Sequence, residues 1–218
     1  MTATAQMPLT ATYLKTLFER SPFISIPATE AEFWHLVEWP QFRIEFHYKH
    51  IVGTMSYATT NHERVVRNLI SVFDNRLDAA NYEVFGSNRP IFAAECGNIY
   101  EPDVHVIEGD LKEYHYAKTK TASQNPALIV EVFSPSTKDF DLSEKLECYK
   151  MIPSLKHIIF IEPNKPHVQV YSRTKQANEW QQTDFSQLEQ TINVLKTPIS
   201  LKTIYKKVIF LVGSTPSV

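Results

Sequence analysis

Seven consecutive residues, Ala127-Leu128-Ile129-Val130-Glu131-Val132-Phe133, hold one polar side chain, and they limit the fold more than any other stretch. Their length and β-branched content predict a strand covered on both faces, which calls for helices packed on a sheet. Ser134-Pro135-Ser136-Thr137 ends the run. A helix is predicted next, from about Asp141 to Ile152, with Leu142, Leu146 and Tyr149 at i, i+4 and i+7. Upstream, Thr29 stands as N-cap before Glu30–Glu38, which has acids in its first turn and is closed by Pro40. Phe42–Met55 alternates like a hairpin, although no Asn-Gly turn marks it. Val65, Val66, Leu69, Ile70, Phe73 and Leu77 give Asn61–Leu77 the spacing of an amphipathic helix.

Short strands are predicted at Tyr82–Phe85, Arg89–Ala94 and Tyr100–Ile107. Beyond the second long helix, Leu155–Ile161 and His167–Ser172 flank the turn Glu162–Pro166; Glu179–Asp184 reads as a last strand and Ser200–Phe210 as a terminal helix. No internal repeat or low-complexity linker divides the chain. The expected architecture is one α/β domain over residues 29–218, a mixed central sheet flanked by helices, preceded by an arm, residues 1–28, whose start has no clear periodicity.

A chain of 218 residues can bury a sizeable core, and 43 % hydrophobic with 21 % charged residues excludes a disordered or fibrous protein. No apolar run approaches the ~18 residues of a membrane span, and the start lacks the pattern of a secretory signal. Cys96 and Cys148 form no CxxC pair, which excludes a cysteine-built zinc knuckle and gives no sign of a disulfide framework. A cytoplasmic location is the expectation. The net charge of −2 provides no bulk attraction to nucleic acid, but it is unevenly spread. Residues 1–142 carry 12 basic and 18 acidic residues, whereas residues 143–218 carry 10 and 6. The basic C-terminal third suits either a phosphate-facing surface or an ordinary solvated face.

Three residues carry the chemical signal. Glu131 lies inside the apolar strand, where an ionised carboxylate costs several kcal/mol unless paired or bound to a metal; a solvent-facing edge or a structural ion pair would also accommodate it. Asp103 follows Pro102 and opens a strand, so it can lie level with Glu131 if the strands pair. Two carboxylates at a sheet end make a hard-oxygen site suited to Mg²⁺, though Pro-Asp is also a common turn dipeptide. Lys145 shares a helix stripe with Asp141 and could reach back to the carboxylates, or simply form an exposed i, i+4 pair.

These residues also carry a resemblance. Tyr100-Glu101-Pro102-Asp103-Val104, then Pro126–Thr137, then Asp141-Leu142-Ser143-Glu144-Lys145 and Tyr149, resemble the Uma-type putative restriction endonuclease family, a branch of the PD-(D/E)XK nucleases. Ile158–Pro163 and Val168–Tyr171 extend the match, as do Met55-Ser56, His62 and Glu30–Phe33, so that it spans roughly residues 29–210. The resemblance implies a restriction-endonuclease-like fold and Mg²⁺-dependent hydrolysis of DNA phosphodiesters, with Mn²⁺ as a substitute ion. Asp103, Glu131 and the backbone carbonyl of Val132 would be the metal ligands. The lysine expected two residues after the acid is absent, since Phe133 stands there, and Lys145 is the matching position. Glu45 is the implied upstream acid, a ligand or water-orienting residue. His62 suits a structural role better than a ligand's. Ser134 and Ser136 suit either phosphate donation or helix capping. A homodimer fits an enzyme that cuts two strands. The competing functions are a nucleic-acid-binding module without catalysis and a phosphoesterase acting on small molecules in an enclosed pocket.

Overall fold

A computed structural model describes residues 9–37, 43–54, 58–117, 119–134, 138–176 and 178–210. Pro40, Met55-Ser56 and Ser136, each singled out in the sequence, lie outside the described residues. The chain runs through α1 (Ala11–Phe18), β1 (Phe23–Pro27), α2 (Glu30–Leu36), β2 (Arg43–His47), β3 (His50–Thr54) and α3 (Thr60–Arg76). There follow β4 (Tyr82–Gly86), β5 (Ile91–Ala93), β6 (Asn98–Tyr100), β7 (Val104–Glu108), β8 (Glu113–Ala117), β9 (Lys120–Ser123) and β10 (Pro126–Val132). Then come α4 (Lys138–Phe140), a π-helical turn (Asp141–Lys145) and α5 (Leu146–Met151). The chain continues with β11 (His157–Ile161), β12 (Val168–Arg173), β13 (Trp180–Phe185), β14 (Thr191–Val194), β15 (Thr197–Ser200) and α6 (Leu201–Ile204).

Two large sheets share the work that the sequence assigned to one. The first has the order β1-β3-β2-β6-β5-β9-β8 and the second β13-β12-β11-β10-β7-β4, with β14-β15 as a small hairpin. Both are mixed: β10 pairs parallel with β11 and antiparallel with β7, and β5 meets β9 in parallel. The expected α/β architecture of mixed sheet and flanking helices is therefore present, with its strands divided between two sheets. The predicted Tyr100–Ile107 strand is the point of division. Tyr100 ends β6 in the first sheet, Val104 begins β7 in the second, and Glu101-Pro102-Asp103 crosses between them. Proline at the crossing has no N–H to leave unpaired, which suits a break in the ladder.

The apolar run behaves as its composition requires. Every residue of β10 is buried. Leu128, Val130 and Val132 join a cluster with Val65, Leu69 and Phe73 of α3, while Ile129 and Phe133 join Leu146, Tyr149 and Phe160 on the opposite face. Helices cover both sides of the strand, so its alternate residues point into two separate cores.

Residues 11–27 do not form the loose arm expected from their weak periodicity. Thr10 caps α1 through Tyr13 N–H, and Leu14 and Phe18 pack with Ile24, Phe33 and Ile44 against the first sheet. In β3, Gly53 lets Phe18 approach: a Cβ built there would lie 2.7 Å from the Phe18 ring tip. Thr29 and Glu32 form a full capping box on α2, as the sequence predicts in part. The hairpin β2–β3 turns on Tyr48 and Lys49, both with positive φ (44° and 61°), the conformation for which Asn-Gly is the usual choice. Five strands, β1, β8, β9, β14 and β15, lack a clear signal in sequence, and the predicted Ser200–Phe210 helix shrinks to Leu201–Ile204 behind its Ser200 cap.

Candidate active site

Where the two sheets meet, acids from both converge. Glu45 comes from β2 in the first sheet, Asp103 from the crossing, Glu131 from β10 in the second, and Asp141 and Lys145 from the π-helical turn behind it. Val130 of β10 lies opposite Val104 of β7, and the N–H of Val132 donates to Asp103 Oδ2 at 2.8 Å. Asp103, the residue before β7, therefore lies beside the Glu131 end of the adjoining β10.

The Lys145 ammonium is the centre of the cluster. Its Nζ lies 2.9 Å from Glu131 Oε1, 3.0 Å from Glu45 Oε1 and 3.2 Å from Asp141 Oδ1. Tyr149 donates to the same Glu131 oxygen at 2.7 Å, and Glu101 N–H donates to Glu45 Oε1 at 2.8 Å. All four of Glu45, Glu131, Asp141 and Lys145 are buried, so the solvated i, i+4 pair is not what Lys145 and Asp141 form. The π turn contributes to this: Asp141 and Lys145, at its two ends, both face inward, and such turns recur at functional sites.

Asp103 has its own partners. Arg43 Nη1 is 3.2 Å from Oδ1 and His62 Nε2 is 3.3 Å from Oδ2, while Arg43 Nη2 also donates to the Glu101 carbonyl. His62, buried on α3, thus positions a carboxylate instead of merely filling space. Ser134 follows β10 and its carbonyl accepts from Lys138 N–H at 3.3 Å.

Ionisation follows from this arrangement. Burial works to lower the Lys145 pKa, but Glu131, Glu45 and Asp141 outweigh it and raise it well above the ordinary range. Burial raises Glu131; Lys145 opposes the rise, and Asp141, Asp103 and Glu45 add to it. For Asp103 burial again favours the neutral acid, yet the His62 hydrogen bond, the Arg43 guanidinium and the Val132 N–H together hold it below the usual carboxylate range. Four buried carboxylates face two cations, Lys145 and Arg43. With Glu131 ionised against that upward shift, even a charged His62 would leave the group one positive charge short.

That deficit, on hard oxygen donors, fits a divalent cation in charge and in chemistry. Among the described residues, no three His, Cys, Asp or Glu side chains already stand as a metal cage. The ammonium of Lys145 occupies the space between three of the acids instead. Arg43 and Asp141 are the members that sequence reasoning missed. Arg43 shares the face of β2 with Glu45 by strand alternation, and Asp141 was legible only as a helix neighbour of Lys145.

A family model described as Uma2, "Putative restriction endonuclease", matches residues 31–202. The chain belongs to the Uma2 family. Similar proteins include two from Synechocystis sp. (strain ATCC 27184 / PCC 6803 / Kazusa), both named as uncharacterized. The protein sll1609 is 30 % identical over 145 residues, covering 66 % of this chain and 80 % of its own. The protein slr1290 is 25 % identical over 159 residues, covering 72 % and 80 %. Among solved structures, a putative nuclease belonging to DUF820 from Anabaena variabilis superposes with a TM-score of 0.66 at 17 % identity, over 84 % of this Uma2 chain and all of the other. That likeness shows a shared fold, and the family points to a nuclease.

One sequence expectation is corrected outright. Cys96, in the β5–β6 connection, is disulfide-bonded to Cys148 of α5 across a sequence separation of 52. Spacing gave no hint of it, because the pairing depends on α5 lying over that connection. Among the described residues, no helix is long and apolar enough to cross a membrane.

Proposed function

We propose that this Uma2 protein is a metal-dependent endonuclease hydrolysing phosphodiester bonds of DNA. The observation that carries the reading is the convergence of Glu45, Glu131 and Asp141 on Lys145, with Asp103 beside them at the start of β7. Asp103, Glu131 and the backbone carbonyl of Val132 would hold Mg²⁺, or Mn²⁺ in its place. Such an ion, when bound, supplies acidification of a water and stabilisation of charge on the phosphate.

The protein's own groups account for the rest. Lys145, released from one or more of its acids, would hold the attacking water and offset negative charge on the phosphate. Glu45, anchored by Glu101 N–H, is placed to orient that water. Tyr149 fixes the Glu131 carboxylate from behind, and His62 fixes Asp103. Arg43 is 38 % exposed and lies at the open side, where a guanidinium can meet a phosphate oxygen.

A second reading, a nucleic-acid-binding module without catalysis, draws on one observation. The ammonium already sits among the acids, and Asp103 is already tied to Arg43 and His62. Supercoiled plasmid incubated with Mg²⁺ or Mn²⁺ separates the two. We expect metal-dependent nicking or linearisation that falls at least 100-fold in Asp103→Asn, Glu131→Gln and Lys145→Ala, in line with the usual weight of electrostatic groups at a phosphate. Cleavage that survives all three substitutions would overturn the site. Neither cleavage nor metal binding by calorimetry would favour the binding module.

A further inference from the structure

Beside the acid cluster, on the solvent side of Arg43, runs a groove of about 600 Å³ between the end of α2, the β4–β5 connection and β9. Its walls carry Arg43, Arg89 and Lys120 against one carboxylate, Glu101. The cations are held by the fold. Arg89 donates to Thr121 Oγ1 at 2.7 Å and Ser123 Oγ at 3.1 Å and pairs with Glu113 at 2.5 Å; Lys120 donates to the Trp34 carbonyl; Arg43 reaches Asp103. Positive charge of this kind is fixed in position before a ligand arrives, so little ordering remains to oppose binding.

The groove also has an aromatic rim. Trp34 forms part of its wall, and the ring of Tyr116 stacks on Trp34 with centroids 5.3 Å apart and planes 19° from parallel. Tyr116 itself is exposed, on β8 at the edge of the first sheet, and so offers a flat apolar surface to solvent. Next to it lies a second depression of about 750 Å³, lined in part by Arg67 of α3, with Arg89 on the wall of both.

We propose that this groove binds one unpaired strand of DNA, its phosphates along Lys120, Arg89 and Arg43 and a base on the exposed ring of Tyr116, which the buried Trp34 backs. Fixed cations that track a backbone, combined with aromatic faces that stack bases, are the features by which proteins hold single strands without reading sequence. A space of about 600 Å³ takes a short stretch of one extended strand. A base can stack on an aromatic side chain only when it is unpaired, which a duplex does not offer. Arg43 joins the groove to Asp103, so the strand would be led to the acid cluster. The inference rests on the nuclease reading for its purpose but not for its test.

The test is fluorescence anisotropy of a labelled oligothymidylate with the full-length wild-type chain in EDTA, where no cleavage can occur. The single strand is expected to bind at least ten-fold tighter than a duplex of equal length and to outcompete thymidine monophosphate by a similar factor. Lys120→Gln should reduce the slope of log K against log salt by about 0.7, the share of one phosphate contact on a single strand, and Lys120→Arg should restore it. Tyr116→Ala should weaken binding about ten-fold through lost stacking, with the salt slope unchanged. Circular dichroism would establish that both variants fold; a variant that does not is replaced by Lys120→Met or Tyr116→Leu respectively. Equal affinity for duplex, full competition by the mononucleotide, absence of binding, or indifference to both folded variants would each overturn the proposal. If the plasmid is cut while the oligothymidylate fails to bind, this inference falls and the nuclease reading stands. Tight single-strand binding by a protein that never cleaves would have the opposite meaning.

Discussion

At the scale of single residues, buried titratable groups divide into those that are paired and those that are simply kept neutral. Lys145 belongs to the first kind, with three carboxylate partners in a medium where removing one member of an ion pair costs about 3–5 kcal/mol. His105 belongs to the second. It is fully buried on β7, stacked on Phe85 at 5.1 Å, with its Nε2 3.2 Å from Ser123 Oγ. Burial, helped by the Arg89 charge, pushes its pKa down to about 3. The unfolded chain takes up that proton near pH 6.5, so acid favours unfolding: the contribution of His105 is intact above pH 6.5 and is lost progressively as pH falls toward 3. Two units below 6.5 the loss amounts to about 2–3 kcal/mol. Urea midpoints measured between pH 7 and pH 4.5 should therefore fall by that much less in His105→Gln than in wild type. An unchanged pH dependence would mean that the imidazole is solvated in the native state.

At the scale of elements, local chemistry decides shape in some places and yields to packing in others. The β2–β3 turn places Tyr48 and Lys49 at positive φ, a conformation that residues with a Cβ adopt at some cost. Two tertiary bonds hold it: Asn98 Oδ1 accepts from Tyr48 N–H at 2.7 Å, and Lys49 O accepts from Ala28 N–H at 2.8 Å. The turn is thus fixed by β6 and by the residue that follows β1, which explains why a hairpin without a turn signature still forms. Gly53 shows packing in control from the other direction. An alanine there would bring Cβ to 2.7 Å from Phe18, 3.1 Å from Ile44 and 3.2 Å from Ile24, so Gly53→Ala should destabilise the protein by about 1–3 kcal/mol in urea unfolding. A loss below a few tenths would show that α1 shifts freely over the first sheet. The same contact is the reason residues 11–18 are helix and core, whatever their weak periodicity suggests.

At the scale of the whole molecule, the site exists because two sheets share one corner. Glu45 and Lys145 are a hundred residues apart in the chain and touch only because the crossing at Glu101–Asp103 brings the first sheet against the second. The Cys96–Cys148 bond strengthens that corner by tying the β5–β6 connection to the helix whose preceding turn carries Lys145. Closing a loop across a separation of 52 residues contributes up to about 4 kcal/mol by chain entropy. Dithiothreitol should therefore lower the urea midpoint of the wild type by about 2–4 kcal/mol equivalent and leave Cys96→Ser, already without the bond, unaffected. Equal response of the two proteins would place the effect elsewhere.

How much of this could be read in advance depends on the range of the interaction concerned. By itself the amino-acid order determined the buried strand around Glu131, the capped start of α2, the amphipathic α3 and the family motif through Asp103, Glu131 and Lys145. Those features are written in neighbours within a few residues, where periodicity and capping act. Only the tertiary structure decided that the strands divide into two sheets, that Arg43 and Asp141 join the acid cluster, that Cys96 meets Cys148, and that Tyr116 lies beside a cationic groove. Each of these is a contact between distant segments, and a linear pattern carries no distance between segments until the chain has closed on itself.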